Sequence, residues 1–267
     1  MVEGTTKRIE TKHGHMLVFT HDRFITPCLS TYGELSPDEI SVLLQMVPSG
    51  GTVVEVGANI GAHTIPLARH CAPGPLVAFE PQQRVFQVLC ANLALNGVAN
   101  VIALPEACST EEGWGSLSVL NFEAEDNFGG STLGPAHAVN NRVRVTTVDA
   151  LQLEACHLLK IDVEGSEPAV LQGASDTINR YRPRLYVENE ILKNQHTLIR
   201  LLDGMGYRMY WHTPLLEPED VARSIFPRRV RSVNMVCLPK ESGTHVQGLV
   251  EIDPENWVDP FGRQRHP

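Results

Sequence analysis

Four carboxylates stand in or just after short apolar runs. Glu55 lies within Val53-Val54-Glu55-Val56, and Glu80 follows Leu76-Val77-Ala78-Phe79. Asp162 follows Leu158-Leu159-Lys160-Ile161, and Glu188 follows Leu185-Tyr186-Val187. Acids at strand ends can hold hydroxyls or cations, take a proton from an alcohol, or share a metal ion. Between the first two lies the turn Gly57-Ala58-Asn59-Ile60-Gly61, followed by a helical pattern with Thr64, Ile65, Leu67 and Ala68. Glycines there let the backbone come close to a ligand, and the helix behind supplies N–H groups and a positive dipole end. Glu80 occupies the place where a carboxylate receives ribose hydroxyls. Strand, glycine turn, helix, strand and acid together describe a nucleoside-cofactor site.

The turn discriminates between cofactors. A dinucleotide fingerprint requires glycine where this chain has Asn59, which crowds a diphosphate. Glu55 repels a diphosphate but suits an ammonium group. S-adenosylmethionine carries an ammonium and a sulfonium and no phosphate, so it is the expected cofactor. The assignment puts Glu55 near the ammonium. Gly57, Ala58, Asn59 and Gly61 lie against the methionine part, with His63 and Thr64 at the helix start. Glu80 and Pro81 meet the ribose, and Glu106, Ala107 and Ser109 border the adenine.

Asp162 and Glu188 end neighbouring strands on the side where open α/β sheets bind ligands. Two readings stand. Asp162 or Glu188 orients or deprotonates an acceptor, or Asp162, Glu188 and Asn189 form an oxygen site for Mg²⁺ that lowers the acceptor's pKa. Asp162 is also a cofactor-site candidate, and Glu164 a further catalytic candidate; Glu164 and Glu167 flank the turn after Asp162, and Glu167 suits a helix N-terminus. Lys160 reads as a strand residue whose ammonium reaches a carboxylate. His212 and His137 are further base candidates.

Around these residues the chain alternates strand and helix. Residues 7–25 suggest a small hairpin, and Ser36-Pro37-Asp38-Glu39 a helix start. Helices are expected over 82–96, from Glu167 to about Arg180, and over 195–205. Strands at 207–211 and 233–238, joined by a loop without a helix, should pair antiparallel. The expected fold is a Rossmann-like α/β domain with a seven-stranded, mostly parallel sheet and an antiparallel last pair. The expected division is an N-terminal hairpin and helix extension at 1–47, the cofactor-binding domain at 48–240 and a C-terminal tail at 241–267. Residues 109–147 read as an inserted β-hairpin with a long polar tip from Glu123 to Asn140, a lid over the substrate.

Composition narrows the partners. The chain has 267 residues, a net charge of −9 and a pI near 5.6, which argues against general nucleic-acid binding. Arg228-Arg229-Val230-Arg231 is locally basic and reads as a solvated loop. Six cysteines without a C-x-x-C pair suit a reduced, cytoplasmic protein better than a disulfide or zinc framework. No secretion-type apolar segment opens the sequence, and no run has the length of a membrane span. The expected partner is a small-molecule, glycan or peptide acceptor, with a homodimer left open.

The motifs resemble the FkbM family of S-adenosylmethionine-dependent methyltransferases. The matching elements are Glu55-Val-Gly57-Ala-Asn59-Ile-Gly61, Phe79-Glu80-Pro81, Asn92-Leu93 with Asn96, Leu159 through Glu167, and Val187-Glu188. Tyr32-Gly33-Glu34 is similar to the family's segment before the first core strand, which adds Tyr32 and Glu34 to the cofactor-site candidates. The resemblance implies a class I methyltransferase fold and methyl transfer, most often to a hydroxyl of a sugar, polyketide or other natural product. An amine or peptide nitrogen is the alternative acceptor, and a non-catalytic cofactor-binding scaffold the third reading. Where many members carry histidine after the acid matching Glu188, this chain has Asn189-Glu190.

Overall fold

The apolar runs become the buried middle of one sheet. The structure, a computed structural model, describes residues 4–135 and 142–263. The chain begins with an antiparallel hairpin of β1 (Thr6–Thr11) and β2 (Gly14–Phe19), then α1 (Ile25–Tyr32) and α2 (Pro37–Met46). β3 (Val53–Val56), α3 (Thr64–Cys71), β4 (Leu76–Phe79), α4 (Gln83–Leu95) and β5 (Val101–Leu104) form the first half of the core. Four short strands follow: β6 (Glu106–Cys108), β7 (Gly113–Ser116), β8 (Gly134–Pro135) and β9 (Arg142–Thr146). The second half comprises β10 (Leu158–Ile161), α5 (Glu167–Gln172), α6 (Ser175–Tyr181), β11 (Arg184–Glu188) and α7 (Leu192–Gly204). It ends with β12 (Tyr207–His212), β13 (Asn234–Pro239) and β14 (Val250–Glu251).

The main sheet runs β14-β12-β13-β11-β10-β3-β4-β5. β11, β10, β3, β4 and β5 are parallel, and β13 is antiparallel to both its neighbours. This is the class I methyltransferase architecture. The order reverses between β3 and β10, and a crevice opens at such a switch point beyond the carboxyl ends of the strands. Apolar side chains on one face pack under the hairpin, α1, α2, α3 and α4. Those on the other pack under α5, α6 and α7.

Register places polar groups on the first of these faces. Glu55 stands beside Lys160, and Lys160 beside Tyr186. Side chains two apart along a strand share a face, so Gly57, Asp162 and Glu188 continue the same rows toward the crevice. Asn189 falls on the opposite face.

The structure departs from expectation in several elements. The sheet has an eighth strand, because Val250 and Glu251 of the tail add to the exposed edge of β12. The tail is also tied down by Asp259, which accepts from Gln195 Nε2 at 3.0 Å and pairs with Arg263. The stretch after β2 contains α1, whose turns are closed by Asp22 accepting the N–H groups of Phe24, Ile25 and Thr26. Ser36 precedes α2 but makes no side-chain cap, since its backbone is left-handed at φ +48°. The helix expected from Glu167 to Arg180 is split into α5 and α6 at Gly173-Ala174. The inserted region is a four-stranded sheet, order β6-β9-β7-β8, and not a lone hairpin.

Residues 117–133 of that insertion lie across the crevice. Phe122 packs tilted and Phe128 edge-on against Phe19 of β2, with ring centroids 4.7 and 5.3 Å from it. Asp126 exchanges backbone hydrogen bonds with His21 and Arg23. Gln82 Nε2 donates to Ser131 Oγ at 2.7 Å. The hairpin beneath is docked on α4 by Asn92, whose side chain bonds the N–H and C=O of Leu17 and the carbonyl of Ile60.

Gly173 marks a close approach: a Cβ there would lie 1.9 Å from the Ser109 carbonyl oxygen. Gly173→Ala should therefore lower stability by about 1–3 kcal/mol, read as a shift in the urea midpoint with an unchanged slope. An unshifted midpoint would show that the α5–α6 break does not depend on that approach.

Candidate active site

At the end of β3 the chain turns sharply. Gly57 has φ +93°, and a Cβ there would sit 1.9 Å from the Asp162 carbonyl oxygen. Only glycine lets the ends of β3 and β10 come this close. The N–H groups of Gly57 and Ala58 both donate to Phe79 O, which ties the turn to the end of β4. Asn59 takes φ +50° and donates its N–H to Glu80 Oε2 at 3.0 Å, while Gln82 N–H donates to Glu80 Oε1 at 2.8 Å. Glu80 is thus fixed by two backbone donors. Burial pushes its carboxyl up to about 7, although both donors favour the charged form.

Two adjoining spaces meet at Gly57, Glu80, Gly129 and Asp162. One is a chamber of about 390 Å³ reaching from α2 to the ends of β11 and β13. The other is a slot of about 50 Å³ between Pro81, Ala107, Cys108 and the roof residues Leu117, Phe128 and Leu133. The chamber is lined by seven acids, from α2, β3, the chain after β4 and β10, and the end of β11 with the chain after it; Lys160 and Arg231 are its cations.

Lys160 is the centre of the chamber floor. It is 1% exposed, with Nζ 3.1 Å from Asp162 Oδ2 and 3.9 Å from Glu55 Oε1. Burial alone would lower its pKa, but Asp162, Glu55 and Glu39 outweigh it and hold the ammonium above its ordinary range. Glu55 is equally buried and also accepts from Thr64 Oγ1 at 2.7 Å. Burial raises its carboxyl, with Lys160 and Thr64 opposing.

Glu39 and His63 close the α2 side. Glu39 Oε1 lies 3.5 Å from His63 Nδ1, and both residues are buried. Desolvation, then Lys160, lowers His63 to about 4, so the ring is neutral. Burial raises Glu39 to about 7 against the pull of Lys160. Glu39 is the site residue that sequence reading assigned only to a helix first turn. Its spacing to Leu43 and Met46 is that of one buried helix face, which was the available signal.

At the far end, Glu164 has a left-handed backbone, φ +55°. Glu167 folds back under this turn and accepts the N–H groups of Val163 at 3.3 Å and Gly165 at 2.8 Å. Burial, then Asp162, Glu167 and Glu190, raises Glu164 to about 7. Glu188 is pushed well above its ordinary value by burial, then by Asp162 and Glu164.

The structure brings most of the expected residues together. Glu55, Gly57, Ala58, Asn59, His63, Glu80, Asp162, Glu164 and Glu188 line the chamber, and Pro81, Glu106 and Ala107 line the slot. Thr64 acts through Glu55, and Gly61, at φ +91°, packs against Leu89. Ser109 does not reach the slot; its N–H bonds Thr146 O and its carbonyl abuts Gly173. Tyr32 and Glu34 also lie elsewhere: Tyr32 bonds Glu217 at 3.1 Å, and Glu34 pairs with Lys12. Asn189 is turned away by strand alternation and donates to Met235 Sδ. The oxygen triplet expected for Mg²⁺ is therefore not assembled. Among the described residues no group of three or more His, Cys, Asp or Glu could hold a metal ion. His212 is buried against Tyr186 Oη at 2.8 Å, outside the chamber. His137 lies outside the described residues.

Comparison with known proteins gives this constellation its family. The profile of the methyltransferase FkbM domain matches residues 55–209, more than half of the chain. The chain belongs to the FkbM methyltransferase family. Methyltransferase sdnD of Sordaria araneosa is 31% identical over 166 residues, covering 49% of this chain and 62% of that protein. Methyltransferase 1 of Beauveria bassiana is 27% identical over 200 residues, covering 65% and 79%. The chain thus spans 62% of the length of the first of these relatives. A crystal structure of methyltransferase FkbM from Methylobacillus flagellatus aligns at 17% identity and TM-score 0.44, over 70% of this chain and 44% of that one. An S-adenosylmethionine-dependent O-methyltransferase from Thermotoga maritima aligns at 14% identity and TM-score 0.45, over 88% and 78%. No helix among the described residues is long and apolar enough to cross a membrane.

The buried acids of this FkbM chain make its stability depend on pH. Burial raises the Glu39 carboxyl to about 7 in the folded protein, against 4.5 for the free side chain. Between those values the folded protein keeps a proton that the unfolded chain releases, so this group lowers stability as pH rises. His63 acts oppositely: from about 4 to 6.5 the unfolded chain binds the extra proton, and stability rises with pH. Glu39→Gln should remove the falling component. Its stability relative to wild type should rise with pH by up to about 1.4 kcal/mol per unit between about pH 5 and 7. Urea titrations at several pH values check this, and a pH-independent difference refutes it.

Proposed function

We propose that this FkbM methyltransferase transfers a methyl group from S-adenosylmethionine to a hydroxyl of a polar small molecule such as a sugar or natural product. The observation that carries the reading is the position of Glu80. It is a buried, oriented carboxylate at the junction of an apolar slot and an acid-lined chamber. That junction suits a ligand with a flat base at one end, a diol in the middle and positive charge at the other. Pro81, Ala107, Cys108 and Phe128 would border the base, and Glu80 would accept from the ribose hydroxyls. Glu55 and the turn at Gly57-Ala58-Asn59 would flank the methionine part. In this reading residues 48–240 carry most of the site, Glu39 of α2 closes one side of it, and 117–133 supply its cover.

The cofactor, when bound, supplies a methyl carbon activated by the adjacent sulfonium. The chain's own groups do the rest. Asp162 keeps 38% of its side chain exposed at the chamber floor, and Lys160 fixes its direction. It would accept the hydrogen bond of the acceptor hydroxyl and take its proton as the new bond forms. Alignment of the acceptor over the chamber floor supplies the larger share of the effect. Residues 117–133 cover the slot and would exclude water from it.

Calorimetric titration with S-adenosylhomocysteine tests the donor site. Wild type should bind, and Glu80→Ala should weaken binding roughly tenfold or more, as expected for losing a buried acceptor of two hydroxyls. Folded wild-type protein that does not bind would overturn the reading. With an acceptor in hand, Asp162→Asn should lower turnover roughly 10²–10⁴-fold while leaving affinity for S-adenosylhomocysteine in the wild-type range. Unchanged turnover would remove Asp162 as the base.

A further inference from the structure

Most carboxylates of the chamber have partners within the protein. Glu55 is held by Thr64 and lies near Lys160, and Asp162 is held by Lys160. Glu80 accepts two backbone N–H groups, and Glu190 is bonded by Arg263 Nη1 at 2.6 Å. Arg231, the other chamber cation, donates to Thr213 O at 2.6 Å and lies 3.9 Å from Glu219. Its charge is thus drawn to the rim.

The exceptions are Glu164 and the more deeply buried Glu188. Glu188 is 9% exposed and lines the chamber. Its carboxylate has no hydrogen bond or ion pair with any described residue. Its charged neighbours are chiefly acids, Asp162, Glu164 and Glu167, with Lys160 as the opposing cation. A carboxyl this deeply buried that faces the chamber without a protein partner is costly to ionise. Burial and these acids accordingly favour its protonated form. A ligand cation in the chamber would supply both the missing charge and the missing donors, through charge-assisted hydrogen bonds. A neutral hydroxyl would supply only donors, and a phosphate or carboxylate would be repelled. Glu55 and Glu80 flank the proposed donor site and are already engaged, which leaves the Glu188 end for the second substrate.

Resting on the reading above, we infer that the acceptor carries a protonated amine beside the hydroxyl that is methylated, as in an amino sugar, and that Glu188 with Glu164 anchors that ammonium. Glu188 is then a specificity-determining residue, while Asp162 faces the reacting hydroxyl. Glu167, by accepting from Val163 and Gly165, holds the turn that presents Glu164.

The experiment is calorimetric titration of the full chain saturated with S-adenosylhomocysteine. The probes are glucosamine against glucose, and 4-aminobutan-1-ol against butane-1,4-diol. The cationic member of at least one pair should bind roughly tenfold tighter than its neutral partner, the scale of one charge-assisted hydrogen bond. Glu188→Gln, which keeps size and shape, should bring the two members together while S-adenosylhomocysteine still binds. If S-adenosylhomocysteine binds but neither pair shows a charge preference, the ammonium anchor is wrong and the methyltransferase reading stands. A preference that survives in Glu188→Gln overturns the role of Glu188. If S-adenosylhomocysteine itself does not bind folded protein, the donor reading fails and this inference falls with it.

Discussion

A single buried ammonium organises the centre of this molecule. Lys160 sits in the middle of a central strand, where parallel sheets normally carry apolar residues. Its charge is tolerable there only because Glu55 comes beside it across the sheet and Asp162 follows two residues on. Removing one member of such a set leaves an uncompensated charge in a low-dielectric interior, which costs far more than the set gains by forming. The register of β3 against β10 is therefore bound to the electrostatics. A slip of one residue would send Lys160 to the other face, among the apolar side chains beneath α5, α6 and α7.

The same constraint shapes the cavity. Because Lys160 draws Asp162 and Glu55 to the floor, the chamber floor is charged and polar at the point where the strand order reverses. The turn at Gly57 then brings the β3 end against the Asp162 backbone, and Asn59 hands its N–H to Glu80. Glu80 is in this way both a structural acceptor and the lip between chamber and slot. Its geometry is set by backbone donors rather than by flexible side chains, which lessens the conformational entropy a ligand must overcome in ordering it. The N-terminal hairpin enters this arrangement indirectly. Phe19 anchors Phe122 and Phe128, so the segment covering the slot rests on an aromatic contact with a separate part of the chain.

The acids of the chamber divide by what satisfies them. Those near the glycine turn are held by Thr64, Lys160 and backbone N–H groups. Glu164, after β10, and Glu188, at the end of β11, have no such partner, and like charges in one buried space raise each other's pKa. Arg263, from the C-terminal tail, pairs with Asp259 and, among the chamber acids, with Glu190. The gradient from satisfied to unsatisfied carboxylates runs along the chamber, from the proposed donor site toward the proposed acceptor site.

Much of this was legible in the residues alone, because it is local. Short apolar runs, a turn with glycine at 57 and 61, and an acid in or just after each run specify strands, a turn and a ligand-facing edge by alternation and backbone freedom. Glu55, Glu80, Asp162 and Glu188 were readable for that reason, as was the antiparallel pair of β12 and β13. Contacts between distant segments were not. Asn189 follows Glu188 by one residue, and only the continued extension of the chain past β11 shows that it faces Met235. Glu39 looked like an ordinary helix-start acid until α2 was laid over the chamber. Ser109, Tyr32 and Glu34 have the right residue types, but their partners come from β9, Glu217 and β1–β2 hairpin residues far along the chain. The order of strands, the docking of 117–133 over the slot and the absence of a partner for Glu188 are properties of packing. Local sequence determined which groups could do chemistry; the tertiary structure decided which of them share a cavity, because burial and charge pairing act between residues that sequence spacing does not connect.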